Sequence, residues 1–353
     1  MVGDTGAVRS LEDRLKAQAY GMGYDLVGIA PLGEPATRSH FDAWLEAGYH
    51  GTMGYLDGEG AELRRDTRRP HPGATHAIVL GTSYGGREPS GPVARYARGE
   101  DYHEVLRAKG RELLAWLEAE VGVLVEGRPY VDSGPVLERD LAQRAGLGWF
   151  GKNTLLISPR VGSFTFLSAL FVRYPLVADT PFEADRCGSC TRCLDACPTQ
   201  AFTGPRVLDA TRCLSYLTIE YREAIPEGLR SAMGSWLYGC DVCQEVCPWN
   251  QKFSQALADG SPFGARELFR EADAEALATH ILQLAPEAYS RAFRGSAMKR
   301  AKLRGLKRNA AVVLGNVGTR AAVEPLTRAM QDDDGMVREH AAWALGQLVR
   351  TFR

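Results

Sequence analysis

Apolar positions along the chain change period twice, and the changes divide it into three parts. Within residues 1–180, stretches of helical period alternate with short, densely apolar runs. "SLEDRLKAQAYGMGY" (10–24) spaces its apolar residues for one helix face and ends in glycines, so it predicts a helix. "DLVGIA" (25–30), "HAIVLGTSY" (76–84) and "TFLSALFV" (165–172) predict strands bounded by turn residues. "YHEVLRAKGRELLAWLEAE" (102–120) predicts a long amphipathic helix, and the apolar run "VGVLV" (121–125) follows it. Alternation of this kind favours a layered α/β (α+β) domain.

Residues 181–255 lose both periods and hold every cysteine. Residues 256–353 are helical and repeat themselves: "LKRNAAVVLGN" from Leu306 matches "VREHAAWALGQ" from Val337. Ala310, Ala311, Leu314 and Gly315 align with Ala341, Ala342, Leu345 and Gly346. Small residues let helices approach and the leucines fill the seam, so this part predicts a short HEAT-like helical solenoid.

The chain has 353 residues and a formal net charge of -1, so no global field favours a polyanion and any such partner must meet a local patch. No run approaches the roughly 18 apolar residues of a membrane helix. The opening "MVGDTGAVRS" has no apolar leader core. No membrane partner and a cytoplasmic location are the expectations.

Eight cysteines lie between residues 187 and 247. Disulfides would be out of place in a reducing compartment, so eight crowded thiols suggest metal. "CGSCTRCLDACPT" is C-x2-C-x2-C-x3-C-P, the run with which bacterial ferredoxins hold iron–sulfur cubes. A zinc site instead wants four tetrahedral ligands, usually from two separated knuckles. The second half, "CDVCQEVCPWN", lacks one cysteine, and Cys213 makes up the number. In this run the fourth cysteine serves the other cube. Crossing on that rule, Cys187, Cys190, Cys193 and Cys247 hold one [4Fe–4S] cluster, and Cys197, Cys213, Cys240 and Cys243 hold the second. Two such clusters conduct single electrons without identifying the acceptor.

"GLGWFGKNTLL" (146–156) contains both G-x-G-x-x-G and G-x-x-x-x-G-K, yet neither nucleotide motif survives its context. A dinucleotide loop follows a strand. Here "PVLERDLAQRA" predicts a helix, with Gly146 as its C-terminal cap. Trp149 and Phe150 stand where backbone would approach a pyrophosphate, and Asn153 replaces the magnesium-binding Ser or Thr. What remains is a Gly-rich loop able to pass close to a large flat ligand.

Taken in order, "YVDSGPVLERDLAQRAGLGWFGKNTLLI", "CGSCTRCLDACPT", "RCLSYLT" and "YGCDVCQEVCPWN" resemble the epoxyqueuosine reductase family, over nearly the whole chain. The resemblance implies cobalamin in the N-terminal domain (1–180), the two clusters in the middle (181–255) and tRNA-binding helices at the end (256–353). The implied reaction converts epoxyqueuosine to queuosine at the tRNA wobble position, the last step of queuosine synthesis. Asp132 of "VDSGP" matches the family's proton donor. By residue type alone an Asp before Ser-Gly-Pro is a turn former, and a carboxylic acid serving near neutral pH needs its pKa raised. For the corrinoid, the family suggests Lys152 and Asn153, Ser215, Asp241 with Val242, Arg64 of "ELRRDTRRP", and Ala94. "DYHEVL" (101–106) begins like the D-x-H-x-x-G cobalamin signature but lacks its glycine, so no histidine under the cobalt is expected.

"RAFRGSAMKRAKLRGLKR" (291–308) holds eight basic residues and no acid. Lys299, Arg300, Lys307 and Arg308 are the expected phosphate contacts. Expected partners are tRNA carrying epoxyqueuosine and a low-potential donor of flavodoxin or ferredoxin type, with the chain as a monomer. Two other readings compete: a reductive-dehalogenase-like corrinoid enzyme acting on a small molecule, and a ferredoxin-like carrier with a docking solenoid.

Overall fold

The computed structural model describes residues 9–270 and 273–352. The opening stretch, which lacks an apolar leader core, lies through residue 8 outside the described residues. Helix α1 (Leu11–Gly21) starts where the Ser10 hydroxyl accepts from the Asp13 amide at 3.1 Å. It buries Leu15 and Ala19. Strands β1 (Leu26–Pro31), β2 (His76–Ser83), β3 (Gly127–Tyr130) and β4 (Thr165–Val172) form one sheet in the order β1–β2–β4–β3. Every adjacent pair is antiparallel, so the domain is of the α+β kind. Its two central strands are apolar on both faces. Ile78, Leu80, Leu170 and Val172 enter one core, while Ala77, Val79, Ala169 and Phe171 enter another, as the two-residue period of a strand requires.

Helix α2 (Tyr102–Val121) is capped by Asp101 and closed by Gly122 at φ 70°. That left-handed cap turns the chain away, so "VGVLV" forms no strand and Leu124 is 83% exposed. The edge strand β3 comes after it, where Gly127 to Tyr130 can pair with β4. Helix α3 (Glu138–Arg144) runs into Gly146 at φ 77°, the capping glycine expected from the sequence. The Gly-rich loop beyond it is a tight hairpin, Trp149–Phe150 against Leu156–Ile157.

The cysteine region is built from short turns of helix, among them α4 (Leu214–Ile219), which begins at Cys213. Helices α5 (Ala274–Leu282), α6 (Lys302–Val317), α7 (Val323–Ala329) and α8 (Gly335–Thr351) dominate the C-terminal part, with a short helix, Pro286–Ala292, between the first two. The repeated small residues act where α6 meets α8. A Cβ on Gly315 would stand 2.8 Å from Ala344 Cα, so only glycine permits this approach. The matching Gly346 has nothing within 4 Å, and Ala342 is exposed, because no described helix packs on that side of α8. One apolar core joins Val93, Ala97, Leu237 and Tyr238 to α5, α6 and α8, so the helices are packed against the rest of the protein.

Arg308 corrects one expectation. It is wholly buried, and its guanidinium donates to the carbonyls of Tyr221 (2.9 Å), Glu223 (2.7 Å) and Leu217. It cannot meet a phosphate. The charge strip surrounds a helix, and a strip that spans more than one turn must send some members inward. Asn309 adds donations to the carbonyls of Thr218 and Leu237. His340, also buried, accepts from the Ile225 amide at 3.1 Å. Burial holds it neutral by depressing its pKa to about 4. Replacing Arg308 with Met should leave buried carbonyls unpaired and cost at least about 3 kcal/mol. Thermal unfolding of the reconstituted protein checks this, and an unchanged midpoint would show the clamp to be dispensable.

A cleft between three modules as the candidate active site

A cavity of about 1630 Å³ opens between the sheet domain, the cysteine region and the helices. This exceeds the roughly 300–1,000 Å³ of ordinary ligand sites, so it has room for a macrocycle together with a nucleoside. Its walls carry Arg64 and Asp132 from the first module, Cys213 and Ser215 from the second, and Arg300 from the third.

Asp132 stands at φ 55°, a left-handed conformation tolerated by Asp but uncommon for other L-residues. Its carboxylate turns into the cleft rather than onto its own backbone. Oδ2 accepts from the Tyr102 hydroxyl at 2.7 Å and pairs with His103 Nε2 at 3.2 Å. The other ring nitrogen, Nδ1, lies 2.7 Å from Asp101 Oδ1. Phe166, Tyr102 and His103 stack in sequence, with centroids 4.3 and 4.0 Å apart, which fixes the imidazole plane. Tyr102 and His103 were read from sequence only as part of a failed cobalamin signature and an amphipathic helix.

The protonation of this group departs from expectation. Desolvation raises the Asp132 pKa, but hydrogen bonds from His103 and Tyr102 outweigh it and hold the carboxyl below its ordinary value. Burial opposes charge on His103, but its bonds to Asp101 and Asp132 prevail and lift it to about 9. The proton at neutral pH therefore sits on the imidazole, against a carboxylate. The Asp132 side chain is 65% accessible because it faces the open cleft. A second carboxyl on this cleft escaped the sequence reading. Glu138, on α3, has an Oε1 atom that is buried without a partner among the described residues. Desolvation, then the nearby Asp132 charge, push its pKa up to about 8, so it is protonated at neutral pH.

Arg64 is buried and donates to the carbonyls of Tyr55 and Gly60, both at 3.0 Å, and of Gly134 at 3.3 Å. It thereby ties the Asp132 loop to the neighbouring wall. Arg300 pairs with Glu220 at 2.7 Å and lies over the Tyr55 ring, 5.4 Å from its centroid. The remaining predicted corrinoid residues stand off the cleft lining. Ala94 donates its amide to the Tyr238 carbonyl, and Lys152 Nζ reaches the Gly188 carbonyl at 2.7 Å. Asn153 is buried and points its amide at the Cys243 carbonyl. Asp241 is buried against the Arg95 amide (2.9 Å) and guanidinium (3.0 Å), and Val242 opens the short helix beside it. From the Gly-rich hairpin it is Trp149, Phe150 and Thr154 that reach the cleft.

The eight thiols are all free and fall into two electrostatic neighbourhoods. After burial, Cys193 feels Cys187, Cys247 and Cys190, and Cys247 feels Cys187 and Cys190. Cys240 feels Cys213 and Cys197, while Cys243 feels Cys213 and Cys240. A cross-influence of Cys193 on Cys243 brings the two sets side by side. Burial raises Cys193 to about 11 and Cys240 to about 12 in the metal-free chain, so loading the sites must expel protons. Among the described residues, no three His, Cys, Asp or Glu side chains lie as ligands of a single ion would. Trp149 Nε1 donates to Cys187 Sγ at 3.4 Å.

The strip at 291–308 is less free than its sequence suggests. Arg304 pairs with Asp334 at 3.1 Å and Lys307 with Asp332 at 2.8 Å, acids supplied by the turn before α8. Lys299 and Lys302 remain exposed.

Residues 186–250 match the description 4Fe-4S double cluster binding domain. Residues 64–133 match Epoxyqueuosine reductase QueG, DUF1730, and residues 295–351 match HEAT repeats. An epoxyqueuosine reductase of Pseudomonas aeruginosa is 41% identical over 92% of this chain and 91% of its own length. The chain belongs to the epoxyqueuosine reductase family. The family member from Salmonella typhimurium is 36% identical over 97% of this chain and 89% of its own. A crystal structure of an epoxyqueuosine reductase with an epoxyqueuosine-modified stem loop of tyrosine tRNA superposes at TM-score 0.81. It is 29% identical and covers 96% of this chain and 90% of that one. A Bacillus subtilis epoxyqueuosine reductase with its catalytic aspartate loop swung out of the active site matches at the same TM-score, identity and coverage. The double-cluster module expected from the cysteine spacing, the α+β first module and the HEAT-like helices are thus features of a known family. Among the described residues no helix is long and apolar enough to cross a membrane.

The charge on His103 has a stability consequence. Its raised pKa means the folded protein holds this proton more tightly than the unfolded chain. The contribution is complete below the ordinary imidazole value of about 6.5 and is lost as pH rises through about 9. A His103→Gln variant should therefore unfold at lower temperature than the native protein at pH 6, and the gap should close toward pH 10. A gap independent of pH would show that His103 is neutral in the fold.

Proposed function

We propose that this chain reduces epoxyqueuosine in tRNA to queuosine, with the reaction carried out in the cleft between its three modules. The observation that carries the reading is that a cysteine of the double-cluster module, Cys213, and the Asp132–His103 pair line the same cavity. Electron supply and proton supply therefore converge on one space. Removing the epoxide oxygen as water consumes two electrons and two protons. The electrons come through the two [4Fe–4S] clusters, held by Cys187, Cys190, Cys193 and Cys247 and by Cys197, Cys213, Cys240 and Cys243. Their mutual influences support this division.

The volume of the cleft and its mixed lining of aromatic and polar groups suit a cobalamin. When bound there, cobalamin supplies a low-valent, nucleophilic cobalt centre. Ser215 and Arg64 would meet it from the cleft walls. Lys152, Asn153, Asp241, Val242 and Ala94 would shape the hairpin and cluster turns behind it. The protein's own task is proton handling. Asp132, backed by the His103 imidazolium, faces the position where alkoxide character develops, and Glu138 holds a further proton nearby.

Lys299 and Arg300 would hold the tRNA backbone beside the cleft, with a wobble base entering extruded from its stack. A low-potential flavodoxin- or ferredoxin-type donor, action as a monomer and a cytoplasmic site complete the reading.

The deciding assay supplies the reconstituted chain, without oxygen, with cobalamin, a low-potential reductant and tRNA carrying epoxyqueuosine. Nucleoside mass spectrometry should show loss of one oxygen atom. Asp132→Asn should keep iron content and corrinoid absorbance while slowing turnover at least about a hundredfold. Native chain that takes up both cofactors yet leaves the nucleoside unchanged would refute the function. Lys299→Ala with Arg300→Ala should weaken tRNA binding and flatten its salt dependence by about one logarithmic slope unit per charge removed. An unaltered slope would move the RNA contact elsewhere.

A further inference from the structure

Two cavities share one wall, and the wall holds Asp101. This residue and Glu104, in the first turn of α2, line both the main cleft and an outer cavity of about 590 Å³. The outer cavity is otherwise bounded by Glu100, Arg266 and Arg270 among others. From Asp101 the contacts run without a gap into the cleft: Asp101 Oδ1 to His103 Nδ1 at 2.7 Å, then His103 Nε2 to Asp132 Oδ2 at 3.2 Å. Tyr102 adds a hydroxyl to the same Asp132 oxygen but opens onto the cleft only.

We infer that Asp101 and His103 form a proton relay that refills Asp132 from the outer cavity while substrate covers the main cleft. The inference rests on the function proposed above and adds the route by which its protons arrive. A tRNA seated over the mouth of the cleft would cut its floor off from bulk water, yet each turnover needs two protons there. The His103 imidazolium gives its Nε2 proton through Asp132 to the departing oxygen. It is left as neutral imidazole with its remaining proton toward Asp101. A swing of the side chain out of its stack, about both Cα–Cβ and Cβ–Cγ, then presents the bare nitrogen to Asp101, which takes a proton from outer-cavity water and passes it on. Electrons do not travel this path; they come from the clusters and their low-potential donor. The balance is therefore one epoxide oxygen, two electrons and two protons in, and one water and one alkene out.

The raised pKa of His103 fits a relay that is loaded at neutral pH. The charges around it are Asp101, Glu104 and Arg107 on α2 and Asp132 on the facing loop. Arg300 acts on Asp132 from across the cleft, and Arg107 acts on Asp101.

Asp101→Asn is the informative change. Asn is as good a helix cap as Asp, so α2 should still start at the same residue, but it cannot carry a proton. In the cluster- and cobalamin-loaded protein with epoxyqueuosine tRNA, later turnovers should slow at least about tenfold more than the first. By NMR of the full chain, His103 should titrate lower by at least about one pH unit when this neighbouring charge is removed. His103→Gln should slow first and later turnovers together. Equal slowing of all turnovers by Asp101→Asn, or a His103 titration that does not move, would overturn the relay. A native protein that does not reduce epoxyqueuosine at all would instead sink the functional reading, and the titration would still judge the coupling.

Discussion

A guanidinium buried without a carboxylate holds this architecture together. Arg308 is enclosed completely, and its positive charge is met by the carbonyls of Leu217, Tyr221 and Glu223. Desolvating such a charge costs several kcal/mol unless its donors are satisfied. Here they are, by the Leu217 carbonyl near the end of α4 and the Tyr221 and Glu223 carbonyls of the segment that follows it. The same helix begins at Cys213 and carries Ser215 on the cleft wall. The helical module is therefore built into the wall of the cleft. Its inner charge sets where one wall of the reaction chamber stands.

Within the chamber, neighbouring acids and bases are driven apart in pKa by their surroundings. Asp132 gains two donors and stays ionised; His103 gains two acceptors and stays charged; Glu138 gains neither and keeps its proton. A charged pair and a neutral acid can both persist because the pair is internally compensated and the acid is not. The cleft thus holds two protonated groups at neutral pH, at the expense of an unpartnered carboxyl oxygen.

The basic strip shows how a local reading of charge can mislead. Its sequence contains no acid, but Glu220, Asp332 and Asp334 reach it from other elements and pair with Arg300, Lys307 and Arg304. The pairs of Arg300 and Arg304 are partly exposed and worth little, while the Lys307 pair is largely shielded. The strip thus keeps Lys299 and Lys302 exposed, while Arg308 is withdrawn into the core.

Whatever depends on spacing along the backbone could be read from the residues alone. The x2 and x3 intervals between cysteines, the capping glycine at 146, the two-residue period of the central strands and the repeat of α6 in α8 are local patterns, and they were legible. Asp132 stood out only through the resemblance of its segment to a family. Tertiary structure alone decided which groups carry protons and which charges face inward. The pKa values of Asp132, His103 and Glu138 arise from partners on α2 and the facing loops. The burial of Arg308 depends on α4, far away in the chain. "VGVLV" is apolar enough for a strand, but the left-handed Gly122 and the reach of the sheet edge gave that place to residues 127–130. Period and spacing are carried by covalent neighbours, whereas desolvation and Coulomb terms belong to whatever the fold places a few ångströms away.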